Sequence, residues 1–157
     1  MQQEDWNSAK IRISFDARKG SWSAIGNDAM KPAFNGKATM NLGWLEDVAV
    51  PSAKDRATIL HEFGHALGMM HEHQSPARGG SITLKEDAVY RYYRPMLQNR
   101  DDLVKSQVID VYELSQVSNL SRFDAKSIMM QVLISLYHRS VFSHMDIFKV
   151  LYAILPQ

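Results

Sequence analysis

The segment His61-Glu62-Phe63-Gly64-His65-Ala66-Leu67-Gly68-Met69-Met70-His71 gathers the residue types that hold and use a divalent ion. On a helix, residues four apart differ by about 40° around the axis and one turn along it, so His61 and His65 project together. Two imidazoles so placed share one ion through ring nitrogens, at roughly 2.0–2.1 Å. Glu62 lies about 100° round the helix, near enough to reach water on the ion without being forced to ligate it. Gly68 permits a sharp turn, and His71 then returns from outside the helix to the same ion. Three neutral imidazoles leave a fourth position open, the pattern of a catalytic rather than a structural zinc site. The expected cofactor is therefore one catalytic Zn2+. The expected chemistry is hydrolysis, in which Glu62 as general base takes a proton from zinc-bound water and the resulting hydroxide attacks a polarised carbonyl. A core helix with satisfied histidines would explain neither the ligand spacing nor Gly68 at the turn. His73, just beyond the motif, reads as a solvated loop histidine rather than a ligand.

Local signals say which elements position these residues. A helix starts after Pro51, with Ser52 as N-cap and Asp55 three residues on, a weak form of the capping box. Leu60, Phe63, Gly64 and Leu67 fall at helical spacing and predict its buried stripe, and Gly68 ends it. Two alternating stretches read as strands. Ile11, Ile13 and Phe15 share one face of the first. Ala38, Met40, Leu42 and Trp44 share one face of the second, with Thr39, Asn41 and Gly43 opposite. The loop between them is rich in Gly, Asn, Asp and Pro, and Trp22 marks a short strand inside it. A second helix is expected from Thr83, capped by Glu86, to about Tyr93, and a third from Asp101 to Val108.

Bulk properties set the bounds. A chain of 157 residues has the size of one ordinary domain. Its 45% hydrophobic and 22% charged composition is that of a globular protein. A net charge of +1 gives no footprint for nucleic acid. The absence of cysteine excludes disulfides and thiolate chemistry. The opening Met1-Gln2-Gln3-Glu4-Asp5 carries no signal peptide, and the sequence gives no firm membrane signal.

Residues 61–74, HEFGHALGMMHEHQ, resemble the zinc signature of the astacin-like metallopeptidases of the metzincin clan, including Glu72 directly after the third histidine. Ser127-Ile128-Met129 resembles the family's Met-turn, which makes Met129 the apolar floor beneath the metal. The strand Ala38 to Trp44 resembles the rim of the cleft, where an exposed strand edge pairs with an extended substrate. The resemblance covers roughly Trp6 to Met130. It implies an α+β, zincin-like fold: a mixed sheet and the helix bearing His61 and His65 in one half, with His71 and the Met-turn in a smaller second half. It further implies a zinc metalloendopeptidase acting on peptide or protein substrates, in an extracellular setting.

Three features depart from that pattern. Gln131 stands where the family usually has a tyrosine that serves as fifth ligand or oxyanion donor. The family's first strand and helix have no counterpart ahead of Ile11. Residues 132–157 form an apolar tail unlike the family, so the expected organisation is a partial zincin-like domain over 1–131 followed by that tail. Two alternatives to an active endopeptidase stay open: a zinc-binding but catalytically weak relative, and a non-enzymatic interaction module.

Overall fold

Met40-Asn41-Leu42 is the strand on which the first half of the molecule is built. The computed structural model describes residues 8–43, 45, 49–79, 84–95, 97–118 and 120–130. Three short strands form a mixed sheet, β1 (Ile13–Ser14), β2 (Ser21–Ser23) and β3 (Met40–Leu42), in the order β1-β3-β2. β1 pairs parallel with β3, in the register Ile13 to Met40. β2 pairs antiparallel with it, Trp22 opposite Asn41. The strand marked by Trp22 is therefore real, and its ring lies 6.3 Å from that of Phe34.

Two expectations for the second strand are corrected. It is the central strand of the sheet among the described residues, so it does not present a free edge; β1 and β2 flank it. Its polar face is also buried. Asn41 fills the bend between β1 and β2, accepting from the Ser14 hydroxyl (2.7 Å) and the Asp16 amide (2.9 Å). It donates to the carbonyls of Asp16 (3.0 Å) and Gly20. A buried amide with every polar atom engaged is stable where a bare one is not. Gly43 permits this close approach, because a Cβ there would lie 2.5 Å from the Asp16 oxygen and 2.7 Å from that of Gly20. Buried Arg12 fastens the incoming loop in the same way, donating to the carbonyls of Ala9, Phe34 and Lys37. Trp44 lies outside the described residues.

Helix α1 (Ala53–Ala66) packs against β2 and β3. Its start is a complete capping box: the Asp55 amide donates to the Ser52 hydroxyl and the Ser52 amide to the Asp55 carboxylate. Its end is a Schellman turn, with the Met69 amide on the Gly64 carbonyl (2.9 Å), the Gly68 amide on that of His65 (2.8 Å) and Gly68 at φ 94°. The expected buried stripe holds at Gly64 and fails at its leucines. Leu60 is 48% and Leu67 74% exposed, whereas Ala57, Glu62, Gly64 and His65 are buried. The inward face is the one that carries the small and chemically active side chains.

The chain divides into two compact units, Met1–Met70 and His71–Gln157. The second unit is helical in its described part, with α2 (Glu86–Tyr93) and α3 (Asp101–Val104). α3 passes into a π-helical turn over Lys105–Ile109. Val89, Val104 and Val108 form its core, packed by Leu84, Tyr93 and Leu97. α2 begins at Glu86 with Lys85 as N-cap and no side-chain cap, which corrects the expected start; Thr83 lies outside the described residues. Among the described residues no helix is long and apolar enough to cross a membrane.

Candidate metal centre

Helix α1 presents His61 and His65 one turn apart, their rings edge to face with centroids 4.7 Å apart. The Schellman turn does more than stop the helix. It turns the Met69 carbonyl back to His65, whose Nδ1 lies 2.8 Å from it. A carbonyl only accepts, so His65 is fixed as the Nδ1–H tautomer with its Nε2 lone pair available. Gly26 supports the turn from below: a Cβ on it would sit 3.1 Å from the Gly68 Cα. His71 follows two residues after Met69 in extended backbone. A ring nitrogen from each of His61, His65 and His71 lies within 4.8 Å of the others.

This donor set fits zinc. Three imidazoles converge, and at His65 and His71 the Nδ1 faces an oxygen, the kind of outer partner that ligating histidines have. Beside them Glu62 is only 6% exposed, and its Oε2 is buried without a hydrogen-bond partner among the described residues. Burial pushes its carboxyl up to about 7. Burial likewise lowers the basicity of His65, against the opposing hydrogen bond to Met69 and reinforced by His61, so its neutral, ligating form is favoured.

Met129 is buried in a turn where the Met130 amide bonds to Ser127 (2.9 Å), and its carbonyl accepts the Glu72 amide at 3.0 Å. The Glu72 carboxylate takes the Asp124 amide at 2.9 Å, so one residue ties both arms of the turn to the segment following His71. Gln131 lies outside the described residues.

His73 is not solvated, contrary to expectation. It is fully buried, with Nε2 2.9 Å from the Val108 carbonyl. Gln74, also fully buried, donates from Nε2 to the carbonyls of Asp110 (2.9 Å) and Ser106 (3.4 Å). The two side chains satisfy carbonyls that the end of the π turn leaves open. Gln74 also holds its Oε1 3.2 Å from the Nδ1 of His71. Sequence reasoning missed it, and no local spacing could have found it, because its other partners lie 32 to 38 residues away.

The chain matches the family model for the astacin peptidases over residues 1–149. It is 28% identical over 134 residues to the zinc metalloproteinase nas-36 of Caenorhabditis elegans, covering 82% of this chain and 19% of that protein. It is 28% identical over 118 residues to meprin A subunit beta of Rattus norvegicus, covering 74% of this chain and 15% of that one. The chain thus spans less than a fifth of the length of these curated relatives. The solved structure of myroilysin superposes with a TM-score of 0.68 at 31% identity, over 94% of this chain and 73% of that one. By the extent of the family match and the likeness to myroilysin, the chain belongs to the astacin family of peptidases.

Proposed function

We propose that the chain is a zinc-dependent metalloendopeptidase in which His61, His65 and His71 hold one Zn2+ and Glu62 is the general base. The observation that carries this reading is the convergence of three imidazole nitrogens within 4.8 Å, next to a carboxyl whose Oε2 is buried without a hydrogen-bond partner among the described residues. Zinc in such a cage supplies a Lewis acid and acidifies water at its open position. The chain's own part is to keep two imidazoles in the ligating tautomer and to hold a proton acceptor in a poorly solvated place. With its carboxyl raised to about 7 by burial, Glu62 binds a proton more readily than an exposed glutamate and suits proton transfer near neutrality. Met129 serves as the apolar floor, a packing role that its burial supports. The substrates are peptides or proteins, and the family kinship supports an extracellular setting.

The test is metal analysis joined to a caseinolytic assay, with and without chelator. The expected result is one zinc per chain and hydrolysis that chelation abolishes. Glu62→Gln is expected to keep the zinc and lose roughly 10²–10⁴ of the rate. Loss of zinc in that variant would make Glu62 a ligand instead, and near-normal turnover would end its role as base. A second reading, zinc binding with feeble catalysis, rests on Gln131 in the usual tyrosine position. Gln131→Tyr is expected to raise turnover at unchanged zinc content, since one oxyanion donor is worth about 10²–10³; no gain removes that reading's basis.

A further inference from the structure

Gln74 is anchored so that its amide can face only one way. Its Nε2 lies against two carbonyls, of Asp110 at 2.9 Å and Ser106 at 3.4 Å, and carbonyls take only donors. Its Oε1 therefore faces the Tyr112 hydroxyl at 3.3 Å and the Nδ1 of His71 at 3.2 Å. The Tyr112 amide in turn donates to the Gln74 carbonyl at 2.9 Å, which fixes the backbone of the pair. An oxygen on Nδ1 requires a proton there, leaving Nε2 of His71 as the metal-binding nitrogen. His65 reaches the same state through the Met69 carbonyl in its own helix turn. His71 lies outside the helix, with no Schellman turn behind it, and needs a partner from elsewhere.

The geometry points to Gln74, oriented by Tyr112, as the positioning residue that sets the tautomer and ring direction of His71 for zinc. This rests on the zinc reading above. Outer partners of ligating histidines govern metal affinity by roughly 10–100-fold, and Gln74 occupies that place for the ligand furthest from the rigid helix.

The experiment separates positioning from packing by comparing Gln74→Met with Gln74→Glu. Both lose the donor to Asp110, and Gln74→Glu carries the larger folding cost because it sets a carboxylate oxygen against the Asp110 and Ser106 carbonyls; only Gln74→Met also loses the oxygen facing His71. Zinc affinity is measured by competition with a chelating dye, scaled to the folded fraction from circular dichroism. The expected result is a loss of roughly 10–100-fold for Gln74→Met, with Gln74→Glu clearly closer to the parent. Equal affinities in the two variants, or a Gln74→Met protein that binds zinc like the parent, overturn the proposal. Histidine 15N shifts of the metal-free parent give a reading that does not depend on the variants folding: His71 as the Nδ1–H tautomer supports the assignment and the Nε2–H tautomer overturns it. A parent that binds no zinc while showing the Nδ1–H tautomer brings down the zinc reading instead, and the two failures are told apart.

Discussion

Glu62 and His65 are neighbours on one turn of α1 whose burial acts on them in opposite senses, raising the proton affinity of the acid and lowering that of the base. Both shifts favour neutral side chains in the metal-free protein. For Glu62 the sign follows directly: a carboxyl moved from 4.5 to about 7 stabilises the fold when protonated and costs stability when charged. That cost accumulates as pH rises through the window between those two values and is complete above it. Glu62→Gln removes the charge and keeps the shape. The metal-free variant is therefore expected to gain stability over the metal-free parent as pH rises from about 4.5 to about 7, by on the order of 2 kcal/mol. Urea denaturation at pH 4.5 and pH 8 measures it, and a difference that stays flat with pH would show that the carboxyl is solvated. The site's spacing was legible because His61, Glu62, His65, Gly68 and His71 are close in sequence and helix geometry relates them. The roles of His73 and Gln74 were not, because what buries them is a helix end that lies some thirty-five residues further on.

At the level of elements, the same contrast separates what alternation reveals from what it conceals. The pattern around Met40 located the central strand, and Ser52 with Asp55 located the start of α1 to the residue. Alternation also implied an apolar face and a polar face, yet Thr39 and Asn41 are as buried as Met40. The reason is the bend at Asp16–Gly20, whose backbone groups Asn41 satisfies across 21 to 25 residues of chain. The stripe on α1 misled for a related reason: Gly64 and Ala57 are small, so the helix approaches the sheet along them and leaves Leu60 outside. Asn41→Ala is accordingly expected to cost at least about 2 kcal/mol, since it strands buried donors and acceptors. Gly43→Ala is expected to cost about 1–3 kcal/mol, by pressing a methyl group onto the Asp16 and Gly20 carbonyls. Denaturant midpoints of the zinc-loaded proteins test both. A change below about 0.5 kcal/mol in either, the size of an ordinary surface substitution, would mean that the bend is looser than its hydrogen bonds indicate.

For the whole molecule, composition and the family match set different ends to the peptidase-family domain. Residues 132–157 stand apart by their apolar composition, while the family match runs to residue 149. The segment is dense in Val132, Leu133, Ile134, Leu136, Val150, Leu151, Ile154 and Leu155, and its one acidic residue is Asp146. Surface so apolar requires cover from the domain, from another copy or from a membrane. His138, Arg139, His144, Asp146 and Lys149 recur too often for a comfortable membrane span. Limited proteolysis of the intact zinc-loaded chain distinguishes an appended tail from a built-in element, because cleavage tracks the local free energy of opening. Treated as a tail, the segment is expected to be cut beyond Gln131 well before α1, leaving a core that keeps one zinc through His61, His65 and His71. If it is instead protected as fully as α1, residues 132–149 belong to the catalytic fold, in keeping with the extent of the family match. The domain boundary then moves to or past residue 149.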